Sequence, residues 1–241
     1  MLQKIASGFA LAFSMLSIIP FFKVHNFYKG INGYAVLFYP LVGFILGLLL
    51  WGVAVLLEGS VPAFHLGVIL FGLWVLLTGA LHLDGFADSV DGFFVSKERA
   101  LEVMKDAHNG GMGMLFSTTF LLLKASSLVA LGEYALLPFV LMFSRFGAVL
   151  QIYLYPYIGG GIAALAKEEF SKAMFFITLL YVVLFALFFE TLWLFALGIV
   201  FVLFVSILLL RRYNGLSGDM YGFSIELVEL LLLNALIIGA A

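Results

Sequence analysis

Long apolar stretches separated by short polar turns run through almost the whole chain. A membrane crossing needs about 20 apolar residues to cover about 30 Å of hydrocarbon. Seven stretches meet or approach that length: 35–57, 64–81, 112–131, 135–155, 173–189, 192–210 and 221–240. An eighth, 5–19, is short and ends at Pro20. It either crosses or lies in the interface. It does not read as a cleaved signal, since Lys4 is the sole base ahead of it and no small-residue cleavage site follows. The pattern predicts an all-α fold: a polytopic integral membrane bundle of about seven transmembrane helices plus a short N-terminal apolar helix. No fixed repeat, low-complexity tract or linker divides the chain, so residues 1–241 are expected to form a single domain.

Composition sharpens this reading. Of the 241 residues, 64% are hydrophobic and 11% charged, and the mean hydropathy is +1.19. Soluble domains carry about 45–50% apolar and about 25% charged residues, so a water-soluble enzyme is excluded. A net charge of −2 offers no basic excess for nucleic acid, which is not expected as a partner. The absence of cysteine removes disulfides, thiolate metal sites and thiol nucleophiles.

Lys and Arg set the orientation. The segments 21–34, 82–111, 156–172 and 211–220 hold nine of the 12 bases, including Lys23, and the intervening turns 58–63, 132–134 and 190–191 hold none. The positive-inside rule then places the long segments in the cytoplasm, and the chemistry with them.

The informative segment is LHLDGFADSVDGFFVSKERALEVMKDAHNGGMG, residues 81–113. Asp84, Asp88 and Asp91 are spaced i, i+4, i+7, which on a helix puts three carboxylates on one face. Like charges so close repel unless a cation neutralises them. Hard oxygen donors favour Mg²⁺, Mn²⁺ or Ca²⁺. Glu102 and Asp106, again i, i+4, form a second acidic pair that would face the first across a cleft. The plainer alternative is a solvated acidic helix face, but the residues between the acids are small or apolar and the segment abuts a span. His82 is either a hydrogen-bonded structural residue or a general base. His108 belongs to the following loop, and His25 and His65 read as interfacial. Asn109-Gly110-Gly111-Met112-Gly113 opens a helix beside Lys105, where backbone N–H groups are candidates to cradle a phosphate. A second turn, from Arg211 to Gly218 and Asp219, is read either as a positive-inside anchor with a helix cap or as ligand-binding. Lys124, Arg145, Glu226 and Glu229 lie inside spans. They are expected either to pair with one another or to let Arg145 or Lys124 reach a phosphate.

These residues resemble the signature region of the cobalamin synthase family, the adenosylcobinamide-GDP ribazoletransferases. HxDGxxDxxDG and MKDxxxGxxG carry the likeness. FSMLSIIPF, YPLVGFILG, SRFGAVLQIYLYPY and GLSGDMYGFSIELVEL agree with it in order. The resemblance implies a Mg²⁺-dependent enzyme of the prokaryotic inner (cytoplasmic) membrane, in contact with lipid and with its active site facing the cytoplasm. Its substrates would be a corrinoid nucleotide, adenosylcobinamide-GDP, and α-ribazole or its 5′-phosphate, and GMP would leave. Set beside that chemistry, the residues read above make Asp84, Asp88, Asp91, Glu102 and Asp106 the expected metal ligands. His82, Asp88 and Lys105 are the expected catalytic groups. Asn109, Gly110, Arg145, Gly218 and Asp219 are expected to bind substrate. The oligomeric state is left open, a homo-oligomer included. The competing classes are another Mg²⁺-dependent intramembrane transferase acting on a diphosphate, of the CDP-alcohol phosphatidyltransferase or prenyltransferase type, and a divalent-cation transporter.

Overall fold

The computed structural model describes residues 2–19, 28–106, 108 and 110–240. Pro20, Lys23, His25 and Asn109 therefore lie outside the described residues. The described residues form helices α1 (Leu2–Leu16), α2 (Ile31–Leu57), α3 (Ala63–Thr78), α4 (Leu81–Phe93), α5 (Lys97–Val103), α6 (Gly111–Leu131), α7 (Leu137–Leu154), α8 (Ile162–Glu169), α9 (Lys172–Phe188), α10 (Leu192–Tyr213) and α11 (Gly218–Ala240). Five of them (α2, α6, α7, α10, α11) are long and apolar enough to span, and the bent pairs α3–α4 and α8–α9 raise the number to seven. The chain is thus a polytopic helical membrane protein. Helix α1 has 15 residues, about 22 Å at 1.5 Å per residue, which is short of the hydrocarbon thickness. It packs along α2, and the Ile18 N–H donates to Leu77 O of α3 (3.0 Å).

Helix α7 is the axis of the bundle, with 89% of its apolar window buried. Lipid gives helices no hydrophobic reason to associate, so small residues that admit close backbone contact hold them together. Gly43 and Gly47 of α2 supply that notch: a Cβ on either would collide with the α7 backbone at Leu141 or Pro138. Gly67 of α3 lies in the same way on Val129 of α6.

The predicted span 64–81 is corrected at its end. Helix α3 stops at Thr78, where Gly79 (φ 60°) and Ala80 (φ 56°) both enter the left-handed region. Ala80 N–H donates to Val75 O and Gly79 N–H to Leu76 O, a Schellman closure. Helix α4 leaves α3 at 83°. A similar break of 92° separates α8 from α9. Helix α8 fastens two other helix ends. Glu169 accepts from the backbone N–H and the side-chain amide of Asn32 at the start of α2 (both 2.9 Å). Lys167 Nζ donates to the last carbonyls of α7, Ile152 O (2.6 Å) and Tyr153 O (3.0 Å). Both contacts put a charge where the helix dipole favours it.

The intramembrane charges pair. Lys124 Nζ donates to Glu226 (2.7 Å) and also to Glu229, which accepts from Arg145 Nη1 as well. The ammonium of Lys124 lies 4.4 Å from the centre of the Trp74 ring. Two bases and two acids, all buried, cancel in charge.

Candidate active site

Helix α4 is held at three points, and each exploits its sequence. Gly85 meets the Asp219 backbone, and Gly222 meets the backbone of His82, with no room for a methyl group at either without displacement. The DG of residues 84–85 and the DMYG of 219–222 are therefore two halves of one close helix crossing between α4 and α11. At the far end, Arg212 Nη2 donates to Phe93 O (3.1 Å) and Val95 O (2.7 Å), and the Tyr213 hydroxyl donates to Gly92 O (3.2 Å). Arg212 closes the C-terminus of α4, a job the sequence left as a positive-inside anchor. Third, Asp91 accepts from the Gly110 N–H through Oδ2 and from the Gly113 N–H through Oδ1, both at 2.7 Å.

That last contact bears on the expectations for Asp91 and Gly110. The anion at the glycine-rich start of α6 is the protein's own Asp91 carboxylate, and each of its oxygens is taken by a backbone N–H. The physical reason is local: the free N–H groups of a buried helix start need an acceptor, and Asp91, buried on α4, supplies it. Gly110 thus faces Asp91 in the place where a phosphate was expected. Asn109 lies outside the described residues.

Asp84 and Asp88 make no such contact among the described residues. Exposure falls along α4 from Asp84, which is exposed, to half-buried Asp88 and buried Asp91. The charges that act on Asp88 are those of Asp84, Asp219 and Asp91. Asp219 is half-buried at the start of α11, where Ser217 rather than Asp219 caps the helix (Met220 N–H to Ser217 Oγ, 3.4 Å). Lys105 is exposed and close enough to Asp219 for its charge to act there.

The second acidic pair does not form as expected. Helix α5 ends at Val103, so Glu102 and Asp106 do not share a helical face. Both are exposed. Asp106 turns to His108, accepting from its N–H (3.0 Å) and contacting ring Nδ1 (2.9 Å), which holds the Asp106 carboxyl below its usual range. The carboxylate that joins Asp84 and Asp88 is Asp219. The glycines near each Asp, Gly85 after Asp84 and Gly222 after Asp219, are what lets the two helices meet. Arg145 is completely buried against Glu229 and Ser144, which fits the pairing reading of the sequence and sets it in the core of the bundle.

Two cavities meet at Asp219. One, of about 350 Å³, is lined by Lys105, Tyr157, Gly159, Gly160, Ser217 and Gly218. Its loops are joined by an isolated bridge, with the Ile158 N–H donating to Leu216 O and the Leu216 N–H to Pro156 O (both 2.9 Å). Beside Asp219, burial raises the Tyr157 phenol above its ordinary value. The other cavity, of about 250 Å³, runs behind Asp84 and Asp219 into the bundle. Among the described residues no three carboxylates or imidazoles already converge as a metal cage. Mg²⁺ does not require one, because it is typically held by one or two carboxylates and retains waters or substrate phosphate oxygens. Asp84 and Asp219, which line one cavity, offer such a pair of hard oxygen donors, and Asp88 lies on the same helix as Asp84.

The fold and the cleft define an integral membrane protein with a carboxylate cluster where α4 crosses α11. The chain belongs to the cobalamin-5-phosphate synthase family, whose model matches residues 8–237. Among similar proteins are three named adenosylcobinamide-GDP ribazoletransferase. That of Desulforamulus reducens is 34% identical over 97% of both chains. That of Desulfitobacterium hafniense is 36% identical, covering 81% of this chain and 83% of its own. That of Thermosynechococcus vestitus is 36% identical, covering 84% and 85%. No solved structure matches the chain.

Proposed function

We propose that the crossing of α4 and α11 is the active site of an adenosylcobinamide-GDP ribazoletransferase. The enzyme joins adenosylcobinamide-GDP to α-ribazole or its 5′-phosphate, and GMP is released. The observation that carries this reading is that Asp84 and Asp219, from two distant motifs of the family, line one cavity, with Asp88 within reach of both charges and Lys105 lining the adjoining cavity. The diphosphate lies in that cavity, its non-bridging oxygens toward Lys105 and the glycines of the 157–160 loop. The ribazole hydroxyl oxygen forms a bond to the phosphorus nearer the corrinoid arm. The bond from that phosphorus to the GMP oxygen breaks, and GMP takes the electron pair. A carboxylate oxygen of the cluster takes the hydroxyl proton.

One or two of Asp84, Asp88 and Asp219 would hold Mg²⁺, which supplies charge neutralisation to a diphosphate. The concentration of Lys and Arg at this end of the bundle supports a cytoplasmic active site in a prokaryotic inner membrane. The test is direct. Purified protein with Mg²⁺, adenosylcobinamide-GDP and α-ribazole phosphate is expected to release GMP in step with corrinoid product. Turnover of a CDP-alcohol or prenyl diphosphate substrate, with no GMP from the corrinoid nucleotide, would overturn the assignment.

A further inference from the structure

The deeper cavity has a different character from the diphosphate opening. Its walls come from α1, α2, α4, α7, α8 and α11, with Met15, Leu16, Ala148, Ile152 and Ile225 among those making it mostly apolar. Two polar groups stand out in it. His82 is 4% exposed, and neither ring nitrogen has a hydrogen-bond partner. Tyr221 is 6% exposed, and its hydroxyl is likewise unpartnered. Buried polar atoms without partners are costly, and in a ligand pocket they are the groups that fix orientation. Asp84, Gly218 and Asp219 line the cavity as well, so an occupant lies against these carboxylates.

We infer that this cavity receives the neutral aromatic base of the ribazole substrate, with His82 and Tyr221 lining it and one of the two donating to the base's single acceptor nitrogen. The inference rests on the proposed transferase reaction and assigns its second substrate to a place. At about 250 Å³ the space is far smaller than a corrin macrocycle with its amide arms. Guanine carries polar atoms around its edges and would leave most of them facing aliphatic walls. A benzimidazole has flat apolar faces and, once attached to ribose, one free ring nitrogen to accept a single hydrogen bond. Seated base-inward, it leaves the ribose at Asp84 and Asp219, where the hydroxyl must react. The reading also gives α1 a function, since Met15 and Leu16 close the pocket wall.

The test separates this inference from the parent assignment. The wild-type enzyme must first release GMP with both substrates; if it does not, the parent reading falls. Given turnover, Ala148→Leu, which fills the cavity, is expected to raise the KM for α-ribazole at least tenfold while the KM for the corrinoid nucleotide stays within twofold. His82→Ala and Tyr221→Phe, which change polarity with less packing stress, are expected to raise the ribazole KM more than they lower kcat. α-Ribazole alone should raise the melting temperature of the wild type and do so less in each variant. An unchanged ribazole KM in all folded variants, or a rise confined to the corrinoid nucleotide, overturns the inference with the parent assignment intact.

Discussion

Gly85 lies so tightly on Asp219 that a Cβ there would stand 2.8 Å from the Asp219 carbonyl oxygen. The contact sets the spacing of the carboxylates on α4 and α11. Gly85→Ala forces the two helices apart. Overpacking of this kind costs about 1–3 kcal/mol, and moving reacting groups by about 1 Å costs about a hundredfold in rate. A kcat loss of about that size is expected, with the variant still recovered in membranes. Gly52→Ala, where nothing lies near the added methyl, is the control and should match the wild type in GMP release.

Asp84 and Asp91 sit two helical turns apart on α4 and should behave in opposite ways. Asp91 fills both backbone N–H groups at the start of α6. Asp91→Asn replaces one acceptor oxygen with a donor facing an N–H, and an unsatisfied buried group costs about 1–3 kcal/mol. The melting temperature of the detergent-solubilised variant should fall. Asp84→Asn removes a charge from a repelling cluster, so its melting temperature should hold or rise. Its kcat should drop by about two to three powers of ten, the usual scale for losing electrostatic stabilisation of a transition state. Equal stability losses in the two variants would contradict the division of labour along α4.

Much of this arrangement was legible in the chain, and the rest was not for definable reasons. Hydropathy located the spans, and the i, i+4, i+7 spacing put Asp84, Asp88 and Asp91 on one helix. Periodicity carries no information on where a helix bends, so the break at Gly79 and Ala80 was hidden inside a continuous apolar run. Nor does local spacing say which distant segment supplies the third carboxylate. Glu102 and Asp106 were nearer in sequence, but Asp219 is nearer in space, because Gly85 and Gly222 let α11 approach. Glycine-rich helix starts attract anions in general. Here the anion was already present in the same motif, as Asp91.

Metal dependence should follow the carboxylates of the α4–α11 crossing. Chelation is expected to stop GMP release, and Mg²⁺ or Mn²⁺ to restore it, as hard oxygen donors favour. Asp219→Asn lowers the ligand charge count and should raise the half-saturating Mg²⁺ concentration by about tenfold. Glu102→Gln should leave that concentration unchanged, since Glu102 is exposed and is not among the charges that act on Asp88 or Asp219. Titration of activity against Mg²⁺ in the three proteins checks both.

Lys105 faces the diphosphate opening as an exposed base. Lys105→Ala is expected to raise the KM for the corrinoid nucleotide by about tenfold, within the range of a charge-assisted hydrogen bond. The ribazole KM should barely move. Added salt should narrow the gap between mutant and wild type, because exposed charges are screened beyond about 8 Å at physiological ionic strength. A gap that persists at high salt would place Lys105 in a structural role.

The buried quartet of Lys124, Arg145, Glu226 and Glu229 makes a prediction independent of catalysis. Its four charges sum to zero, as do the pairs Lys124–Glu226 and Arg145–Glu229 within it. Glu226→Gln leaves Lys124 with Glu229 alone, and Glu229 must already serve Arg145. Breaking a buried pair by removing one partner costs about 3–5 kcal/mol, because the charge left behind is uncompensated. Lys124→Met is expected to destabilise by a similar amount. Removing both partners together, in Lys124→Met with Glu226→Gln, leaves Arg145 and Glu229 as a matched pair. The double variant should therefore melt above either single one. Measured as a double-mutant cycle, the coupling energy should be favourable and larger than about 1 kcal/mol. Additive losses would mean that Lys124 and Glu226 do not compensate each other. The charges of the core would then have to be balanced from the cleft, through Arg145, and that residue would return to the substrate-binding role the sequence allowed it.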